Sequence, residues 1–82
     1  MQLYYFHLLD GERVVPDAEG VRLPDMVVVQ QCARMIVRDL KAEPCLRKTD
    51  WSRWQVQVQD EAGVQVLLLP FQGAAIDGPR PM

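Results

Sequence analysis

His7 is the residue that most directly suggests chemistry, because it is the only histidine among 82 residues. In a strand, alternate side chains share a face, which would place Tyr5 beside His7. Asp10 lies close in sequence, and a His–Asp pair can act as a general base. Ser52 and Thr49 could supply a hydroxyl nucleophile, but nothing in the sequence places either of them beside His7. A small enzyme that uses His7 is therefore kept as an alternative, and no catalytic residue is assigned.

Metal chemistry has little support in the sequence. A calcium loop spaces its ligands regularly and ends with a bidentate glutamate, and this pattern is missing from the acidic residues around the first turn: Asp10, Glu12, Asp17 and Glu19. Zinc needs more ligands than His7 and two cysteines, Cys32 and Cys45, at unrelated spacings. We expect both thiols to be reduced, with Cys32 acting as a small apolar core residue. No metal and no cofactor is predicted.

Two tryptophans lie among basic residues, an arrangement that could bind nucleic acid. Trp51 and Trp54 are interleaved with Arg47, Lys48 and Arg53, and aromatic rings can stack on bases whose phosphates are held by basic side chains. However, Trp54 begins a predicted strand on its inward side, and the chain has a net charge of −2. No glycine-rich phosphate loop is present. Nucleic acid is therefore not predicted as a partner.

Charge is unevenly distributed along the chain. Residues 1–25 hold five acidic and two basic residues, whereas residues 34–53 hold six basic and three acidic ones. Solvated faces explain such a distribution. The sharper alternative is a polarised surface that orients a partner.

The first half of the chain predicts a hairpin followed by one helix. Residues 2–9 form the first strand, Asp10-Gly11 the turn, and residues 13–15 a short edge strand that Pro16 limits. Residues 16–24 form a turn-rich link. Asp25 is predicted to cap a helix over residues 26–43, which Pro44 ends. Its apolar face has the three-and-four spacing of a helix: Val29, Cys32, Ala33, Ile36 and Leu40.

The second half predicts another hairpin. Residues 54–60 alternate between apolar and glutamine side chains, which is typical of a half-buried strand. Residues 60–63 form the turn, and residues 64–69 the partner strand. A three-residue loop with a left-handed Gly63 sets four predicted pairs: Gln59 with Gln65, Val58 with Val66, Gln57 with Leu67 and Val56 with Leu68.

These elements predict an α+β fold with the order ββαββ. The antiparallel sheet has the predicted strand order 2-1-3-4, with the helix on one face. We expect one domain over residues 1–72 and a disordered tail over residues 73–82. No apolar run is long enough to span a membrane, and the N-terminus does not resemble a signal peptide. The cytoplasm is the expected compartment.

The sheet face away from the helix is the candidate partner surface. One helix covers only one face of the sheet. The other face is predicted to carry seven candidate partner-binding residues: Tyr5, His7, Gln55, Gln57, Leu67, Leu69 and Phe71. The alternative is that the 44–53 loop, with Trp51, or the tail covers the apolar members.

Several short motifs together resemble a known family: Tyr4-Tyr5-Phe6-His7, Asp10-Gly11, Pro16-Asp17-x-Glu19-Gly20, Leu23-Pro24-Asp25 and Asp60-Glu61-x-Gly63. They are similar to a widespread group of short bacterial proteins catalogued only as a domain of unknown function. The resemblance covers about residues 3–71 and implies no activity. This chain departs from the family at Met26-Val27-Val28-Val29 and at Leu9. Both departures make it more apolar, which favours a partner surface.

The order of elements also resembles, at the level of fold alone, the small sheet domain of HicB-type antitoxins. The leading hypothesis is a non-enzymatic protein-interaction module that self-associates, for example as a homodimer, through its sheet face or its edge strand. The alternatives are an antitoxin-like or regulatory protein that binds a different protein, and the small enzyme that uses His7.

Overall fold

The computed structural model describes residues 1–72 and contains one five-stranded antiparallel sheet and one α-helix. The strands are β1 (Gln2–Leu9), β2 (Val14–Val15), β3 (Val21–Leu23), β4 (Gln55–Asp60) and β5 (Gln65–Pro70), with helix α1 (Met26–Lys41) between β3 and β4. Two short 3₁₀ helices, Pro44–Leu46 and Trp51–Arg53, connect α1 to β4. The predicted α+β class is confirmed. The predicted tail lies outside the described residues.

The sheet differs from the prediction by one strand. Its order is β2-β1-β4-β5, and β3 also pairs with β1. Strands β2 and β3 share the same edge of β1, because β2 lies opposite Leu8 and Leu9 while β3 lies opposite residues 2–4. We expected residues 16–24 to be a link without a strand. The three residues of β3 between Gly20 and Pro24 are too few to show the alternation of a strand. Leu23 is buried, which holds β3 against the core.

Helix α1 begins and ends for local reasons. The Asp25 carboxylate accepts the Val28 N–H at 3.0 Å, which confirms the predicted N-cap. The helix ends at Lys41, two residues before the predicted end, and the Ala42 N–H donates to the Arg38 carbonyl. Its most buried residues are Val29, Ala33 and Val37. Their spacing of four places them on one face, which packs on the sheet.

The core lies between α1 and one face of the sheet. Tyr4 and Phe6 of β1 and Val56 and Val58 of β4 are buried there. Their spacing of two is the strand period, so the residues between them point to the opposite face. No helix in residues 1–72 has the length and apolar character needed to cross a bilayer.

The pairing of β4 with β5 corrects the predicted register. Gln59 lies opposite Gln65 as expected, but a bulge follows, and Val58 then lies opposite Leu67, Gln57 opposite Leu68 and Val56 opposite Leu69. The predicted Val58–Val66, Gln57–Leu67 and Val56–Leu68 pairs are wrong. A bulge places two residues of one strand opposite one of the other, which moves the remaining side chains of β5 to the opposite face.

The physical result of the bulge is a better-filled core. Leu67 and Leu69 pack on the helix side of the sheet, where the predicted register would have placed Val66 and Leu68. Phe71 continues the same alternation and is 0% exposed. The β4–β5 hairpin therefore loses one residue of regular pairing, and larger apolar side chains become buried as a result.

Gly20 is tightly enclosed at the start of β3. Its φ is +72°, and a Cβ there would lie 3.0 Å from the Leu3 Cδ1, the Tyr4 carbonyl oxygen and the Tyr5 ring. Gly63, in the β4–β5 turn, has a similar φ of +82° but nothing within 4 Å of the corresponding position. Both glycines thus have a backbone conformation that disfavours other residues, but only at Gly20 would a side chain also meet neighbouring atoms.

Gly20→Ala should reduce the free energy of unfolding by more than Gly63→Ala does. Positive φ alone costs about 1–2 kcal/mol in either case, and overpacking adds about 1–3 kcal/mol at Gly20 only. Urea unfolding of the two variants measures the difference. Equal losses would show that the segment around Gly20 is not packed against β1 as described.

Candidate functional site

The sheet face that α1 leaves uncovered is the candidate site, and we call it the open face. It is formed by the side chains of β1, β4 and β5 that point away from α1: Leu3, Tyr5, His7, Leu9, Gln55, Gln57, Gln59, Gln65, Leu68 and Pro70. Val14 of β2, opposite Leu9, and Arg22 of β3, opposite Leu3, lie at its margin. Leu68 is 39% exposed and Val14 57%. The open face is therefore a mixed surface of apolar groups and amides.

Four of the seven predicted surface residues lie on the open face, namely Tyr5, His7, Gln55 and Gln57. The other three, Leu67, Leu69 and Phe71, do not, so their predicted placement is wrong. Leu67 and Leu69 are half-buried against the core, and Phe71 is fully buried. The reason is the bulge in β5, which no period in the sequence marks. It also brings Leu68 to the open face, a residue that sequence reasoning had placed in the core.

An aromatic cluster covers Phe71. Its ring stacks on Trp51 with centroids 5.0 Å apart, and the edge of Trp54 approaches it at 5.8 Å. The Phe71 N–H donates to the Trp54 carbonyl at 2.8 Å. Trp51 from the 44–53 loop therefore does contact Phe71, but in the core and not over the face away from α1, where the alternative had placed this contact.

The same cluster weakens the nucleic-acid interpretation of the tryptophans. Trp51 and Trp54 contact each other at 5.2 Å, with their rings 70° apart, and both pack on Phe71. Base stacking needs an accessible ring face. Here Trp51 uses one of its faces in the fold.

His7 is held at both ring nitrogens. Nδ1 accepts the Asp17 backbone N–H at 3.0 Å, and Nε2 lies 3.1 Å from Oε1 of Gln59. Because Nδ1 accepts, the ring carries its proton on Nε2, which donates to the Gln59 oxygen. Tyr5 lies parallel to the ring, with centroids 6.3 Å apart. His7 therefore connects the 16–20 segment to β4.

The Asp17 carboxylate fixes the segment that holds His7. Oδ2 accepts the Phe6 N–H, and Oδ1 accepts the N–H groups of Glu19 and Gly20, all at 3.1 Å. Partial burial raises the pKa of this carboxyl group, but the N–H donors of Phe6, Gly20 and Glu19 outweigh burial and hold the pKa below its ordinary value, with a further contribution from His7.

This arrangement offers little for catalysis. Asp10 does not serve as the partner of His7: its Oδ1 accepts the N–H groups of Glu12 and Arg13 at 2.9 and 2.7 Å, and these bonds lower its pKa. Ser52 lies in the second 3₁₀ helix, where its N–H donates to Asp50. A general base needs an available nitrogen, and both nitrogens of His7 are engaged within the fold.

The acidic residues around the first turn and the two cysteines are the remaining candidates for metal chemistry. In residues 1–72, no three His, Cys, Asp or Glu side chains are placed to hold a metal ion. Asp10 and Asp17 cap turns, as described above. Cys32 is half-buried on α1 and Cys45 is exposed, and both are free thiols.

A shallow cavity of about 230 Å³ lies at the hairpin end of the open face, lined by Leu9, Gly11, Glu12, Arg13, Val14 and Gln55.

The sequence model of a family, the domain of unknown function DUF6894, matches residues 3–72. The chain belongs to the DUF6894 family. Searches of the curated proteins and of the solved structures found nothing similar to it. The fold-level likeness to HicB-type antitoxins therefore remains a prediction.

The motifs that carried the resemblance to this family are explained by backbone geometry. Four aspartates in them accept backbone N–H groups at the start of a turn or helix: Asp10, Asp17, Asp25 and Asp60. Three glycines in them have positive φ: Gly11, Gly20 and Gly63. In this chain, these aspartates and glycines of the family pattern thus fix the backbone of the turns and of the helix start.

Asp17→Ala should lower the free energy of unfolding by about 2–3 kcal/mol, because three N–H donors lose a charged acceptor. Glu19→Ala is the matched control, since Glu19 contributes its backbone N–H to this turn.

Because the pKa of Asp17 is depressed in the folded state, its contribution to the free energy of unfolding is complete above the unfolded-state pKa of about 3.9. That contribution is lost as pH falls through the folded-state pKa. The stability difference between Asp17→Ala and the unmodified protein should therefore narrow below about pH 4. Chemical unfolding over a pH series measures it, and a pH-independent difference would contradict the assigned bonds.

Proposed function

We propose that this DUF6894 domain is a non-enzymatic interaction module that self-associates through the open face. The observation that carries the proposal is the lack of charge over most of this face, with Arg22 of β3, opposite Leu3, as a charged residue at the margin. The open-face positions of β1, β4 and β5, all within the described residues, hold no Asp, Glu, Lys or Arg. Exposed protein surfaces are normally rich in these residues, whereas the centres of protein interfaces are depleted in them and enriched in aromatic groups.

The polar groups of the open face favour burial because several are already paired. The Gln57 amide donates to Oε1 of Gln65 at 2.9 Å, and Gln59 accepts from His7. A polar group that enters an interface without a partner costs free energy, and a paired one costs much less. Each of these four side chains therefore has at least one hydrogen bond within the sheet, and the amide groups of the glutamines that remain can bond to a second copy.

A second copy of the chain suits this face. A two-fold axis brings identical surfaces together, and the uncharged positions of β1, β4 and β5 meet their copies without like-charge repulsion. Two sheets pack face to face at about 10 Å, with their side chains interdigitating. Leu9 and Tyr5 on β1 and Leu68 on β5 supply apolar groups on the two sides of the β4 glutamines.

The catalytic alternative has weaker support. It depends on His7, and the two nitrogens of that ring are used to hold Asp17 and Gln59. The role that this supports for His7 is to orient the amides of the open face.

Leu68→Glu should abolish self-association while leaving the domain folded, because Leu68 is exposed on the β5 side of the proposed interface, and a carboxylate buried there would lack a partner. Leu69→Glu is the matched control. Leu69 lies opposite Val56 and packs on the core, so this variant should unfold. Light scattering after size exclusion, over a dilution series, gives the mass, and circular dichroism gives the fold. A monomeric unmodified protein, or a Leu68→Glu variant that associates as before, would contradict the proposal.

A further inference from the structure

Strand β5 forms an open edge of the sheet. Within residues 1–72, β4 is its only neighbouring strand. The Phe71 N–H donates to Trp54, and antiparallel pairs alternate between bonded and non-bonded. Leu69, two residues earlier, therefore also directs its backbone groups toward β4. The N–H and C=O of Leu68 and the C=O of Pro70 point outward from the sheet.

The β5 edge carries little protection against another strand. Natural edge strands are blunted by charged side chains, prolines or bulges. Strand β5 has a bulge at its start and Pro70 at its end, but no charged residue between them. Its central residues thus offer unpaired backbone groups next to apolar side chains. In β-augmentation, an extended peptide adds a strand to an edge of this kind.

Helix α1 carries a row of basic side chains, one of which reaches this edge. Lys41 donates to the Phe71 carbonyl, just beyond the end of β5. Arg38 and Arg34 precede Lys41 by three and seven residues, so they lie along the same side of the helix. Among the described residues, the only ion pair is Arg38–Asp39, at 3.8 Å with both side chains at least 70% exposed. Such a pair is worth little, and it leaves the positive charge of Arg34 and Lys41 unpaired.

We infer that the β5 edge and the basic side of α1 together form a docking site for an extended segment of another protein that carries acidic side chains. The segment adds a strand beside β5, and its carboxylates face Arg34, Arg38 and Lys41. Charge complementarity selects this occupant. A second copy fits this edge poorly, because a two-fold pairing of β5 with β5 would bring two identical basic rows together. The inferred site shares β5 with the open face but uses the backbone edge of the strand and the basic side of α1 rather than the open-face side chains, and it does not depend on self-association.

The direct test is binding of a fluorescent peptide of about six residues, the usual strand length, in which Glu alternates with Val. The full chain should bind this peptide in a salt-dependent manner, and it should bind the peptide with Lys in place of Glu much more weakly. Fluorescence anisotropy measures both affinities. No binding of the Glu peptide, or equal binding of the two peptides, would overturn the inference.

Two variants locate the site. Arg34→Glu should weaken binding of the Glu peptide by about tenfold, whereas Arg13→Glu, in the distant hairpin turn, should not change it. Leu68→Pro removes an outward N–H and leaves the bonds to β4 in place, so it should reduce binding in a domain that stays folded. An unchanged affinity in Arg34→Glu would overturn the inference even if Leu68→Pro fails to fold. The mass of Arg34→Glu in solution is expected to match that of the unmodified protein, which separates this result from the test of self-association.

Discussion

The hydrogen bond from the Phe6 N–H to the Asp17 carboxylate is the interaction on which the rest of this structure depends. Strands β2 and β3 cover the two ends of one edge of β1 and leave a gap between them. Asp17 fills the gap, because its side chain accepts from Phe6 and its own N–H donates to His7. A buried edge would otherwise contain an unsatisfied donor. The same contact therefore closes the sheet edge and fixes the ring of His7.

The open face follows from that contact. Once the His7 ring is fixed, its Nε2–H holds the Gln59 amide, and Gln57 bonds to Gln65 on the neighbouring strand. The single helix covers the other face, and its apolar stripe is used there. A surface with partly paired amides and an uncharged centre agrees with the proposed association. The aspartates and glycines of the family pattern agree with this proposal, since they fix the backbone of the turns and of the helix start.

The periodic elements could be predicted from the sequence, and the irregular ones could not. Alternation revealed β4, and three-and-four spacing with Asp25 and Pro44 revealed α1 to within two residues. The bulge at Val66 was missed because it is driven by the filling of the core with Leu67, Leu69 and Phe71, which no local pattern records. That single shift reversed the faces of β5. The Asp17–His7 contact was missed as well, because it joins residues ten apart through a loop whose path depends on Gly20.

Intermolecular nuclear Overhauser effects in a mixture of isotope-labelled and unlabelled protein would test the central claim most directly. They report contacts between copies and ignore those within a copy. The proposed association predicts intermolecular signals from the Leu68 methyl groups and the Tyr5 ring, on the open face, and none from Leu69 or Phe71, which lie in the core. Signals confined to α1, or no intermolecular signals at millimolar concentration, would contradict the proposal that the open face is an interface between copies of this chain.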